Sequence, residues 1–383
     1  MNSSKITNFF CYAGIALFSV PIHAFAGDAA GKRIFRHPGI ISSSVILDSL
    51  KKRVQTIPMA RMGYKQLRRS DFARLSRPHT PVRVVQVAAY ETTQDEAAFR
   101  GDAQAAYAMA LMWVVTDDKR YRDKAIAILD DWAGTFEGLE VIKGGTSQSN
   151  LEASWAATVW IAAADIIRFY RMGAANWASE RILVFNHFID NLIAEARGKL
   201  EDNSNRGMSA TLACLAAAVF QEDEKAYNEA IELHKKRVGM ISLMNGALGP
   251  DYLSDPWHAQ ATIISWIHIS EIAWIQGDDI YGSILDDQLE PRLAICLEHF
   301  AKLFLGKIPN PEGLLRGDYR GSHMELQGYY VAFNHFIVRK DLRDVMPTFY
   351  AMVPGWVPGG FSSHFVAWDT LSHAGVKGGT ALR

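Results

Sequence analysis

Cysteine is scarce in this chain, three among 383 residues, and none of the three stands in a C-x-x-C pair. An HExxH string is missing too, so neither a thiolate nor a histidine frame for zinc is supplied, and no metal or other cofactor is expected. A fixed-period repeat is absent, which disfavours a stacked solenoid. Excess charge of one sign is absent as well: 40 Lys and Arg face 41 Asp and Glu, for a formal net charge of -1. Such a balance argues against nucleic acid or a membrane surface as the general partner. Strand signals are nearly missing, with Val82 to Val87 as the one short β-like run. No apolar run after the first residues is long enough to span a bilayer, so no membrane anchor is expected.

The first residues do carry an apolar run, but one too short for a stable membrane span. Lys5, the apolar Phe9 to Val20 and the Ala24-Phe25-Ala26 triplet read together as an export signal cleaved before Gly27. The expected organisation is a signal peptide over 1–26 and a single domain over 27–383, delivered to the periplasm or secreted. Cys11 falls within the signal. Cys214 and Cys296 sit in apolar helical patterns and are expected as buried thiols.

What is present is helical periodicity. Phe99, Ala103, Ala106, Ala110 and Trp113 share one face, as do Tyr121, Ala125, Ile128, Leu129 and Trp132. Trp155 to Tyr170, Phe185 to Ala196 and Leu289 to Phe304 repeat the i, i+3/i+4 spacing of amphipathic helices. Turns between them are short, apart from breaks at Gly138–Ser149 and Lys307–Gly321. Helices of this length joined by short turns lie antiparallel to their neighbours. The expected architecture is all-α: an α/α toroid, an incomplete barrel of about five to seven helical hairpins.

Four clusters bring polar chemistry into this apolar background. Asp202-Asn203-Ser204-Asn205-Arg206 precedes an Ala-rich helix, where capping and carboxylate binding are both natural roles. Asp251, Tyr252, Ser254, Asp255 and His258 lead into a helix that is apolar on almost every side, from Ile263 to Trp274. Arg316 to His323, followed by Glu325, Tyr330, Asn334 and His335, is dense in anion-binding and proton-transfer groups. The tail from Pro358 to His364 and on to Leu371 either closes over a site or packs.

Several strings in this order resemble the alginate lyase-like family. His37-Pro38-Gly39-Ile40 resembles its HPGL opening, and Ala125 to Ala133 its "A..IL..WA" helix. Glu271-Ile-Ala-Trp274-Ile-Gln276-Gly277 with Tyr281 resembles its "E-I-A-W-x-Q-G-x-D-L-Y" string. The resemblance covers about residues 35 to 372. It implies an α/α toroid that cleaves a uronate-containing polysaccharide by β-elimination: alginate, glucuronan or a related exopolysaccharide. Two departures stand out. Ser254 replaces the Arg of the family's "E-x-x-R-D-x-x-H" loop, while Asp255 and His258 are kept. Phe333-Asn334-His335-Phe336 stands for Y-N-H-Y.

β-Elimination has three jobs: neutralise the uronate carboxylate, remove the proton at C5, and protonate the departing O4. The expected assignment is Asn205 with Arg320 on the carboxylate and His258 as base, with Tyr330 or Tyr252 as acid. Asn203, Arg206, Asp255, Trp257, His323, Asn334 and His335 complete the expected substrate-binding set. With Ser254 in place of the family arginine, the carboxylate grip falls to Arg320 or Arg206. The expected partner is an anionic uronate polysaccharide. The competing readings are a non-catalytic uronate-binding protein and a glycoside hydrolase, the latter needing two carboxylates across the bond.

Overall fold

Four long helices are buried around their whole circumference, and they organise everything else. They are α3 (Gln94–Thr116), α5 (Ser147–Phe169), α7 (Asn205–Phe220) and α9 (Pro256–Gln276). From Phe99 to Val115 every residue of α3 is buried, and α7 is buried from Gly207 to Phe220. Helices with no polar side belong in an interior. The computed structural model describes residues 33–252, 256–283, 290–310, 327–355 and 364–377. The chain divides into Met1–Arg33 and Ile34–Arg383, and all the described elements belong to the second unit.

The first three buried helices are each followed by a one-sided partner, α4 (Lys119–Thr135), α6 (Ser179–Ala196) and α8 (Glu224–Ile241), whereas α10 (Arg292–Phe304), which follows α9, is buried over most of its surface. In α4 only Ala125, Ile128, Leu129 and Trp132 are buried, a single stripe. In α6 the stripe is Phe185, Phe188, Ile189, Leu192 and Ala196. Helices α3, α5, α7 and α9 pack on one another in that order, with their partners outside. A hairpin α1 (Ser44–Thr56) and α2 (Pro58–Arg69) precedes them. Three short helices follow: α11 (Tyr329–Phe333), α12 (Pro347–Met352) and α13 (Asp369–His373). Inner and outer helices alternating along the chain make the α/α toroid read from the sequence.

The β-like run is a strand, β1 (Val84–Ala88), and it pairs in parallel with β2 (Gly138–Lys143). The segment expected as a plain break at Gly138–Ser149 therefore contains a strand and the first residues of α5. The reason is tertiary. Residues of β2 are exposed or half-buried and give no strand pattern of their own, and the pairing with β1 is what makes them a strand. Strand β1 runs into α3 and β2 into α5, so the parallel pairing starts both helices at the same end. Hairpin alternation carries that polarity on to α7 and α9.

Two of the strings that carry the resemblance, His37–Ile40 and Glu271–Tyr281, lie at the opposite end. The backbone N–H groups of Gly39 and Ile40 donate to the Asp165 carboxylate at 2.6 and 3.0 Å, near the C-terminus of α5. The Gln276 side chain pairs with both backbone groups of Arg36, at 2.9 and 3.0 Å, at the last residue of α9. A Cβ on Gly39 would collide with the Arg36 carbonyl and the Gln276 amide, so only glycine fits. These strings lock the N-terminal segment across the helix ends. Cys214 and Cys296 are free and buried, and burial pushes their thiols up to about 11 and about 12.

Candidate active site

The first turns of the inner helices gather a set of polar groups at one end of the helices. Helix α7 begins after Ser204, whose Oγ accepts the Arg206 N–H at 3.2 Å. Asn205 is the first residue of that helix and 7% exposed, and its Nδ2 has no hydrogen-bond partner. A buried amide donor without an acceptor is costly unless a ligand or water meets it. Arg206 is exposed beside it. Asn203 is also exposed, and its Oδ1 accepts from Arg237 Nε at 3.3 Å. The buried Arg237 guanidinium also donates to Thr211 Oγ1 at 2.8 Å and to the Leu200 carbonyl. It clamps the turn that presents Asn203 and Asn205.

Helix α9, packed against α7, places His258 in its first turn, half-buried, with its ring edge-on to Trp257 at 5.1 Å. Tyr252 lies on the short turn just before α9, 1% exposed, with an unpartnered hydroxyl. Burial pushes its phenol up to about 12, against the pull of Arg237. Tyr252 therefore keeps its proton at neutral pH, as a donor must.

A third group joins α3 and α5. Trp257 packs edge-to-face on Trp155 at 5.2 Å and on His364 at 5.4 Å, and Trp155 meets His364 at 4.5 Å. Arg100 hydrogen-bonds His364 Nε2 and faces Glu152 Oε1 at 3.4 Å. Burial, then Arg100, lowers His364 to about 3, so its ring is neutral and accepts from Arg100. Glu152 is fully buried, neither of its oxygens has a hydrogen bond, and burial raises it to about 7. Arg100 and Glu152 were not singled out in the sequence. Their signal was an ionisable residue on a largely apolar helix, shared by Asp102 on α3 and Asp165 on α5, and buried ionisable groups cluster at functional sites.

Other expected site residues go elsewhere. Tyr330 is the second residue of α11, 3% exposed, its backbone N–H on Asp369 Oδ2 at 3.0 Å and its phenol raised far by burial. Gly328, two residues earlier, sits against His268, roughly 15 Å along α9 from His258 at 1.5 Å per residue. His335 stacks on Tyr281 at 3.8 Å and meets Trp274 at 4.6 Å. Trp274 is roughly 24 Å along the same helix from His258. Asn334 Oδ1 accepts the Val376 N–H at 3.0 Å. Asn334 and His335 are thus packing residues near the far end of α9, because the irregular helix that carries them is buried there. Arg320, Asp255 and His323 lie outside the described residues, as does Ser254. Among the described residues, no group of three His, Cys, Asp or Glu side chains is placed to hold a metal.

A change at Glu152 tests its burial directly. With its folded value raised to about 7, Glu152 contributes stability below its unfolded value that is lost as pH rises through the folded one. Glu152→Gln removes that dependence. Its melting temperature relative to the unaltered protein is expected to climb between pH 5 and pH 8, by the equivalent of about 3 kcal/mol. A flat difference would contradict this reading.

Comparisons with known proteins agree with the architecture. An alginate lyase from Bacteroides ovatus superposes with a TM-score of 0.63 at 12% identity, covering 88% of this chain and 100% of that one. Alginate lyase A1-III from Sphingomonas species A1 gives 0.60 at 11% identity, with 80% and 93% covered. A variant of A1-III complexed with a tetrasaccharide gives 0.60 at 11%, with 89% and 99% covered. No curated protein matches the sequence. At such identities the structural likenesses establish the fold alone, and the sequence match carries the rest. The family profile described as alginate lyase matches residues 84–283, more than half of the chain. That span contains α3 through α9 with Arg100, Glu152, Asn205 and His258, so the chain belongs to the alginate lyase family and is a polysaccharide lyase.

Proposed function

We propose that the protein is exported and cleaves a polyuronate, alginate or a close relative such as glucuronan, by β-elimination at the first turns of α7 and α9. The observation that carries this reading is the buried, unpartnered amide of Asn205 at the start of a helix packed against the one that presents His258. Inner helices that begin at one end direct the positive ends of their dipoles there, which suits an anionic sugar.

In this scheme Asn205 and Arg206 meet the uronate carboxylate, where charge develops as C5 loses its proton. Arg206 fits the role because it is exposed and no acid among the described residues pairs with it. His258 removes the C5 proton, a task suited to imidazole near neutral pH. Tyr252 protonates O4, and burial keeps its phenol loaded. Trp257, braced by Trp155 and His364, offers a ring for a sugar face.

Elimination creates a conjugated double bond at the new non-reducing end. Polymannuronate, polyguluronate, glucuronan and hyaluronan are to be tested for ultraviolet absorbance released with time. Absorbance growth on a polyuronate is the expected result. Reducing ends without absorbance would mean hydrolysis, and binding without turnover would mean a carrier.

A further inference from the structure

Charge is spread unevenly along this near-neutral chain. Between residues 49 and 90 there are ten Lys and Arg and a single acid, Asp71. Half of these cations are engaged. Arg53 is buried on the carbonyls of Ile46, Leu371, Ser372 and Ala374. Lys51 pairs with Asp117 at 2.9 Å, Arg74 with Asp71 at 2.5 Å, Arg77 with Asp102 at 2.5 Å and Arg83 with Glu137 at 2.6 Å. Lys52, Arg61, Lys65, Arg68 and Arg69 remain, all exposed and with no acidic partner among the described residues. Arg61 donates to the Val54 carbonyl at 3.2 Å and to that of Gln55, and Arg68 lies 6.0 Å from the Tyr64 ring. Neither contact cancels a charge.

Four of the five lie on α2 at i, i+4, i+7 and i+8, a single face about 12 Å long. The other face, Ala60, Gly63 and Leu67, is buried, with Gly63 against the backbone of Leu371 in α13. An ordinary solvated helix face mixes signs, because like charges four residues apart repel. Here Arg61–Lys65 and Lys65–Arg69 repel with nothing between them. A concavity of about 410 Å³ follows directly, lined by Asp71, Arg74, Ser76, Arg77, Pro78 and Thr80.

We propose that the outer face of α2 is an exosite for a linear carboxylated polysaccharide, holding one stretch of polymer while another is cut at the first turns of α7 and α9. The choice of a polyuronate rests on the function proposed above; the cationic stripe does not. A stripe of point charges matches a polymer with one carboxylate on every sugar. A bilayer surface is a poor fit, because α2 exposes no large apolar side chain to insert. Single-stranded nucleic acid is a poor fit because the one aromatic ring on this face, Tyr64, is half-buried beside Arg68.

The test is the combined variant Lys65→Glu, Arg68→Glu, Arg69→Glu in the full chain, with circular dichroism to establish that it folds. At about 0.05 M salt, KM for polymeric uronate is expected to rise about tenfold, with kcat and KM for a tetrasaccharide unchanged. The difference should vanish near 0.5 M salt, where charges are screened within a few ångströms. No change on polymer, or an equal loss on the tetrasaccharide, would overturn the proposal. Electrophoresis through gels containing the polymer separates this outcome from a failure of the proposed reaction. Retardation of the unaltered protein that the variant loses supports the exosite even if nothing is cleaved. Tighter capture by anionic vesicles or duplex DNA than by polyuronate rejects it.

Discussion

Glu271→Gln is expected to cost about 3–5 kcal/mol of stability. Glu271 is fully buried on α9 and accepts from Arg339 at 3.0 and 3.1 Å and from the Tyr281 hydroxyl at 3.0 Å, with His373 Nε2 3.5 Å away. Burial works against its charge, but Arg339 and His373 overcome that and hold the carboxylate far below its usual range. Removing the charge leaves Arg339, itself buried under the Trp274 ring, without a counter-ion. A depressed folded value means the contribution is present above the unfolded value and lost as pH falls below it. Melting curves should therefore show a constant gap between the two proteins at neutral pH that narrows below about pH 4. An unchanged melting temperature at pH 7 would refute the account. Ser372 Oγ lies 2.7 Å from His373 Nδ1, completing an acid–histidine–serine series. All three groups are sealed from solvent, so the series is structural.

Asn205→Ala is expected to lower kcat on a polyuronate by about a hundred- to a thousandfold, the usual loss when one preorganised donor to a developing oxyanion is removed. The fold should survive, because the cap of α7 is the Ser204 hydroxyl and the Asn205 amide has no protein partner. His258→Ala should abolish the remaining proton transfer with an equally small effect on melting, since His258 is only half-buried. Full activity in either variant would remove that residue from the mechanism. A melting loss as large as that of Glu271→Gln would mean the residue is structural.

The two positions show how legibility differed. Glu271, Trp274, Gln276 and Tyr281 form the string that most clearly resembles the family, yet they lie toward the far end of α9 from His258. Such a string is easy to recognise because every member touches another buried group, so few replacements fit. Asn205 and His258 lie in loops and first turns, where a sequence reads equally well as capping. Tyr330 is a candidate by chemical type and location, Asn334 and His335 by the string resembling Y-N-H-Y, and burial against Asp369, Val376 and Tyr281 gives all three packing roles. Arg100 and Glu152 are hard to pick out because Asp102 on α3 and Asp165 on α5 are equally buried ionisable residues that serve structural partners.

The sequence by itself determined the toroid, since helical period and the contrast between all-round and one-sided apolar helices are local properties that set which helix lies inside. It also carried the family, through strings whose spacing survives in order. Only the tertiary structure decided which polar groups meet. Arg100 reaches His364 across 264 positions, Arg36 reaches Gln276 across 240, and β1 finds β2 only after α3 and α4 have folded back. Pairings of that range depend on how hairpins close around the axis, and no local pattern of residues encodes that closure.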